Sequence, residues 1–345
     1  MPMQLRAVAI AAGVLVVAVV AFFLLSGRGS DIPIINTVLK PKTCPLSGRE
    51  PENEKLLDRP AVAVKVENNP AAYPLSGLEK AEIVYEEPVE GGLTRFMAMY
   101  HCTDAAKVGP VRSSRTVDPA IMTPTTRILA AAGGNAIVRK ALDKGNVVLI
   151  DEGGSNGALR RVARPGISSE HTLYGDTVKL RRVGSKRFDK PPSRESYEFG
   201  DLDGKAKKAS TVTITFSGAL TVTYEWKHGR WFRSDDGEPL MAESGKQIAV
   251  DNVLIEEHDV NFSKTIVDVA GNPSVEIADV TGRGRAVLFR NGRAIRGHWI
   301  RDSVKDAVHF ETTDGDAMAL HEGTTWIELV PSPRGELKGS FSFAR

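Results

Sequence analysis

The chain has 345 residues, a formal net charge of +2, and charged residues of both signs interleaved along its length. That balance lacks the clustered basic face of a nucleic-acid binder, so no nucleic-acid partner is expected. Two cysteines and seven histidines form no CxxC or HxxxH pairing, which speaks against a metal site.

After MPMQLR, residues 7–25 read AVAIAAGVLVVAVVAFFLL without a charge. The run matches the roughly 20 apolar residues that cross a bilayer and exceeds the roughly 7 to 15 of a signal-peptide core. The LLSGRGS that follows has no A-x-A cleavage pattern, and the first cysteine, Cys44, comes too late for a lipobox. Residues 1–29 therefore read as an uncleaved transmembrane anchor. Arg6 and the amino terminus favour a cytoplasmic start, with Arg28 opposing, so the bulk of the chain is expected on the outer face of the cell membrane. In that oxidising setting an even cysteine count suggests one disulfide, Cys44 to Cys102; two buried free thiols are the alternative.

Residues 30–59, rich in Pro, Gly and charge, read as a linker. From Pro60 the runs AVAVKVE, AEIVYEEP and FMAMY read as short strands. RILAAAGGNAIVRKALDKGNVVLIDEGG then reads strand, helix, strand, with Asn135 as the helix N-cap and Gly145 just past its end. Residues 60–207 are thus expected to form an α/β domain with helices on a mixed sheet. The breaker-rich segment 183–210 marks a boundary, and residues 208–345 read as a nearly all-β domain. In it KHGR is a hairpin turn, and Asn291 with Gly292 marks a type I′ hairpin. Each domain is long enough to bury its own core.

The strings CPLSGREPENEKLLDRPAVAVKVENNP, EEPVEGGLTRFMAMY, GPVRSSR and SSEHTLY, with NVLIEE, GRGRAVLFRNGRAIRGHWIR and GTTWIELVP further on, resemble the YerB family of bacterial envelope lipoproteins. The resemblance spans nearly everything after the linker. It implies a two-domain α+β fold, with a layered mixed β/β/α first domain and a β-rich second one, on the outer face of the membrane and with no established activity. Two departures stand out. Lipid-anchored relatives carry a lipobox cysteine where this chain has an apolar run, and the family's usual APHN reads SEHT around His171, which puts a fixed polar role for Thr172 in doubt.

GPVRSSR sets Arg112 and Arg115 three residues apart after a Gly-Pro turn. On a helix the two guanidinium groups share a face and can hold one anion; on an extended chain they point apart. The plainer alternative is that they pair with Glu87 and Glu90 of EEPVEGGLTRF and tie two loops together. That stretch, which also carries Glu86, Thr94 and Arg95, reads as a surface loop with capping acids. AAAGGNA ends a strand and opens a helix at Asn135, where backbone N–H groups can face an anion. It lacks GxGxxG and the Walker lysine, so no nucleotide or other cofactor is expected. His171 lies in a breaker-rich loop beside Glu170. A serine triad with Ser114 or Ser169 has no GxSxG or SxxK support.

These residues lead first to a binding module: Glu87, Glu90, Arg95, Arg112, Arg115, Asn135 and His171 line a polar cleft for an anionic cell-wall polymer or an envelope protein. The alternative is a hydrolase or transferase acting on a wall glycan or peptide. There Glu87 or Glu90 is the acid or base, His171 the proton shuttle and the arginines an oxyanion clamp. A third reading makes the arginines and glutamates purely architectural.

Overall fold

A computed structural model describes residues 42–193, 197–201, 206–268 and 271–345. The apolar run 7–25, expected as the anchor, lies outside them. Among the described residues no helix is long and apolar enough to cross a membrane.

The apolar runs become strands where their patterning puts them. The amino-terminal half holds β1 (Val62–Asn68), β2 (Ile83–Pro88), β3 (Thr94–Tyr100), β4 (Ile128–Ala130) and β5 (Val148–Ile150). A ribbon of β6 (Leu159–Arg161) and β7 (Leu173–Gly175) follows. Its helices are α1 (Asp118–Met122), α2 (Ala136–Lys144) and α3 (Thr177–Gly184). The carboxyl-terminal half runs β8 (Lys207–Lys208), β9 (Thr211–Ser217), β10 (Leu220–Lys227), β11 (Arg230–Asp235), β12 (Glu238–Pro239), β13 (Ala249–Val250) and β14 (Asn252–His258). It continues through β15 (Val260–Val267), β16 (Pro273–Ile277), β17 (Gly282–Arg290), β18 (Arg293–Arg301), β19 (His309–Thr312), β20 (Thr325–Pro331) and β21 (Ser340–Ala344). The fold is α+β and rich in strands.

One sheet runs through both halves in the order β19-β18-β17-β14-β20-β2-β3-β1-β4-β5. Its seam is β20, which lies parallel to β14 on one side and to β2 on the other. Every residue of β20 is buried, as a strand with both faces covered must be. Alternate residues serve different cores. Val62, Val64, Phe96, Ala98 and Trp326 join one apolar cluster with Ile214, Phe216 and Trp231 of the second sheet, β12-β11-β10-β9-β21. Ala63, Met97, Met99 and Ile327 join the other, with Met122 of α1 and Val138 and Leu142 of α2. Thr43–Arg345 forms one compact unit.

Local signals hold at the turns and the helix end. Asn291 and Gly292 both have positive φ, 51° and 66°, as a type I′ hairpin requires, and His228 and Gly229 repeat the pattern at 51° and 76°. Asn135 caps α2, its side chain accepting from Val138 N–H at 2.9 Å. The left-handed residue past that helix is Asn146 rather than Gly145.

From Thr43 the stretch expected as a linker packs against the fold. Leu46 and Leu57 are buried, and Cys44 is joined to Cys102. Arg59 donates to His101 O at 2.7 Å and to Asp104 at 2.9 Å. Hydrophobic anchors are sparse in this stretch, and the partners of Arg59 and Cys44 lie 42 to 58 residues on, so its composition alone resembles that of a tether.

Trp299 is buried, as a hairpin core tryptophan should be, and its ring stacks on His258 with centroids 4.6 Å apart. Burial would lower the His258 pKa, but hydrogen bonds to Asp279 and Glu256 hold it up at about 9. A folded pKa above the ordinary 6.5 means stabilisation that is full below about pH 6.5 and lost as pH rises through 9. The stability difference between wild type and His258→Gln, from urea midpoints, should therefore shrink by roughly 3 kcal/mol between about pH 6 and pH 10. A pH-independent difference would show that the imidazolium is not what these carboxylates stabilise.

Candidate functional site

The arginine stretch is extended and not helical. Beyond Val64, where β4 ceases to pair with β1, the segment 108–112 takes the vacated edge. Glu67 N–H donates to Pro110 O, and Arg112 N–H to Lys65 O, each at 3.0 Å. The chain leaving β4 then pairs outside that segment, with Ala132 N–H on Arg112 O and Ser114 N–H on Gly133 O, both at 2.9 Å. After Ser114 the backbone turns into α1, with Asp118 Oδ2 accepting from Arg115 N–H at 2.7 Å. An extended chain should send the two arginines to opposite sides. The turn instead brings both to one cleft.

That cleft has a volume of about 520 Å³ and is lined by Glu90, Arg95, Arg112, Arg115 and Asn135 together with β15 and β16 residues such as Val267 and Ser274. Both halves of the chain therefore build it. Arg115 is ion-paired to Glu90, whose other oxygen accepts from Ser274 Oγ at 2.7 Å. Arg112 lies 3.1 Å from Glu67 through Nε, without a well-directed hydrogen bond there, and reaches Glu170 at 3.4 Å. Arg95 differs from both. Its Nη1 donates to Ser113 O at 2.9 Å, and it meets no carboxylate within ion-pair distance among the described residues. Burial, and then the neighbouring Arg115, hold its pKa down to about 9 although Glu90 pulls the other way. Three guanidinium groups thus crowd one wall while one of them has no counter-ion.

Two expected cleft residues stand elsewhere. Glu87 lies behind the wall on β2, 2% exposed, and is paired with Lys65. His171 is buried with its Nδ1 2.7 Å from Glu67 and its Nε2 3.6 Å from Glu170, so it stands behind the cleft residues Glu67 and Arg112. The cleft that Glu90 lines has neither His171 nor Glu87 among its lining residues. Nor is EEPVE a surface loop: Glu86 and Glu87 are buried strand residues, and of its three glutamates Glu90, in a short 3-10 turn, lines the cleft. Adjacent acids looked solvated because the cations that hold them, Arg233 and Lys65, are remote in sequence or hidden in an apolar run.

Elsewhere, Asp151 is 3.7 Å from Arg139, and Glu152 pairs with Arg161. In the basic run RRVARPG, residues 160–166, Arg164 is bound internally, to Ala72 O and Tyr73 O at 2.7 and 2.6 Å. The sequence reading passed over Glu67, Arg139 and the β15–β16 hairpin. Glu67 had a signal, since it stands two residues from Lys65 at the end of the otherwise apolar run AVAVKVE.

Against known proteins, the chain matches the N-terminal domain described as a protein of unknown function (DUF3048) over residues 46–190 and the corresponding C-terminal domain over residues 212–327. It is similar to the putative lipoprotein YerB of Bacillus subtilis (strain 168), 30% identical over 321 residues that cover 90% of this chain and 92% of that protein. The crystal structure of the YerB protein from Bacillus subtilis matches with a TM-score of 0.68 at 25% identity, covering 87% of this chain and 99% of that one.

Proposed function

The chain belongs to the YerB-like family with paired DUF3048 domains, and from that premise we propose an envelope-associated binding module for an anionic group of a cell-wall polymer. The apolar run 7–25 would hold it to the membrane with the cleft on the outer side. The disulfide and the relative's description as a lipoprotein both favour that placement.

One observation carries the reading: Arg95 lines the cleft together with Arg112 and Arg115 and, among the described residues, has no carboxylate within ion-pair distance. A guanidinium that burial and like charge have made less comfortable gains most from an incoming phosphate or carboxylate. Asn135 adds the amino-terminal end of α2 to the same opening. The arginines also have a scaffold role, since Arg115 and Arg112 hold Glu90 and Glu67, so Arg95 is the substitution that separates binding from stability.

Full-length protein in detergent should co-sediment with isolated wall sacculi and lose that affinity about tenfold to a hundredfold on Arg95→Gln, the worth of a charge-assisted hydrogen bond of about 1.5 to 3 kcal/mol. Its melting temperature should hardly move. Sacculi stripped of their anionic polymer should no longer retain the wild type. Absence of wild-type binding, or equal binding by Arg95→Gln, overturns the reading.

A further inference from the structure

Behind the cleft wall lies a group that the binding reading does not use. Lys65 on β1 is fully buried, as are Asp118 at the start of α1 and Met97, the residue opposite Lys65 on β3. The Lys65 Nζ is 2.7 Å from Asp118 Oδ1 and is hydrogen-bonded to Glu87 Oε1. Asp118 Oδ2 accepts the Arg115 N–H at 2.7 Å, and Glu87 Oε2 has no hydrogen-bond partner. One ammonium between two buried carboxylates leaves a surplus negative charge that the Arg115 guanidinium only partly offsets, which is expensive. Burial pushes the Glu87 carboxyl up despite Lys65 beside it, so Glu87 is suited to carry a proton.

We propose that Lys65 and Asp118 become joined by a self-formed amide bond between Nζ and Cγ, with Glu87 as proton carrier. Within the buried cluster the proton between Nζ and Oδ1 passes to Oδ1, which sets a neutral amine against a carboxylic acid. The amine attacks Cγ, and the negative charge that develops on Oδ2 is met by the Arg115 N–H already bound there. Glu87 takes a proton from the new nitrogen and returns one to Oδ1. The Cγ–Oδ1 bond then breaks and Oδ1 departs as water. An ammonium and a carboxylate become an amide and a water, so no oxidant, metal or cofactor is required. Fixed proximity is what makes the step accessible, since the reacting groups are held in contact on rigid elements. The bond would pin the segment bearing Arg112 and Arg115 to β1, and it stands independently of what the cleft binds.

The full chain, purified in detergent, reduced and digested with trypsin, decides the matter by mass spectrometry. The expected product is the Lys65 peptide joined to the Asp118 peptide, lighter than their sum by one water, with cleavage after Lys65 blocked. In Glu87→Ala the joined species should be lost and the two peptides recovered separately. Recovery of the wild-type peptides unjoined and at full mass overturns the proposal. A joined species undiminished in Glu87→Ala overturns the role of Glu87 as carrier.

Discussion

Arg233→Met should cost about 3 to 5 kcal/mol and leave the chain largely unfolded at moderate temperature, because it strips the counter-ion from buried carboxylates. Arg233 has no exposed surface, and it is paired with Glu86 and, at 2.7 Å, with Asp235. It reaches from β11 across the core between the two sheets, and its guanidinium lies about 5 Å from the rings of Phe96 and Trp326. The central sheet makes this cation necessary. Glu86 of β2 and Glu328 of β20 are register partners at the seam, and two ionised carboxylates there would repel. Burial raises the Glu86 pKa, but Arg233 outweighs it and holds the group ionised. Burial and then Glu86 push Glu328 well up, so Glu328 stays neutral.

Glu328→Gln, which mimics the protonated acid, should therefore change stability by less than about 1 kcal/mol. Urea unfolding of the two variants beside wild type checks the pair of expectations. A large loss in Glu328→Gln, or a small one in Arg233→Met, would show that the charges are distributed differently. Since typical domains have only about 5 to 15 kcal/mol in hand, the Arg233 effect is a large share of the margin.

Removing the disulfide should have a comparable effect. Cys44 and Cys102 are 58 residues apart in sequence, and closing a loop of that length in the unfolded chain is worth about 4 kcal/mol in the chain-entropy picture. The bond ties the Thr43–Arg59 segment to the end of β3. The double substitution Cys44→Ala, Cys102→Ala should lower the urea midpoint by the corresponding amount, and reductant should lower the wild type to the same value. A loss below about 1 kcal/mol would mean that Leu46, Leu57 and Arg59 already hold the segment, so that little closure entropy remains to be saved.

Short-range rules carried a good part of the fold. Period-two runs and continuous apolar runs mark strands because a pleated strand offers two faces, each buried or wet along its whole length. That is why β1 to β5 largely coincide with the apolar runs between residues 61 and 150, whereas β15, β16 and β21, half-exposed and broken by polar residues, do not announce themselves. Asn135 and the Asn291–Gly292 turn were readable for the same reason, since a cap or a tight turn is a contract among four or five consecutive residues. Arg112, Arg115 and Arg95 drew notice because so many fixed charges need partners, and the structure does set all three at one cleft.

What the chain by itself determined, then, is the apolar strands of the central sheet, the tight turns, the helix cap and the arginine-rich corner. Only the tertiary structure decided that β20 would enter between β2 and β14, that Glu87 would turn inward to Lys65 while Glu90 faced the cleft, and that Arg233 would answer for Glu86. The physical reason is distance along the chain. Glu87 lies 22 residues from Lys65, Asp118 lies 53 from it, and Arg233 lies 147 from Glu86. Nothing in the neighbourhood of a glutamate tells which remote cation will neutralise it. A charge in an apolar strand shows only that some partner must exist.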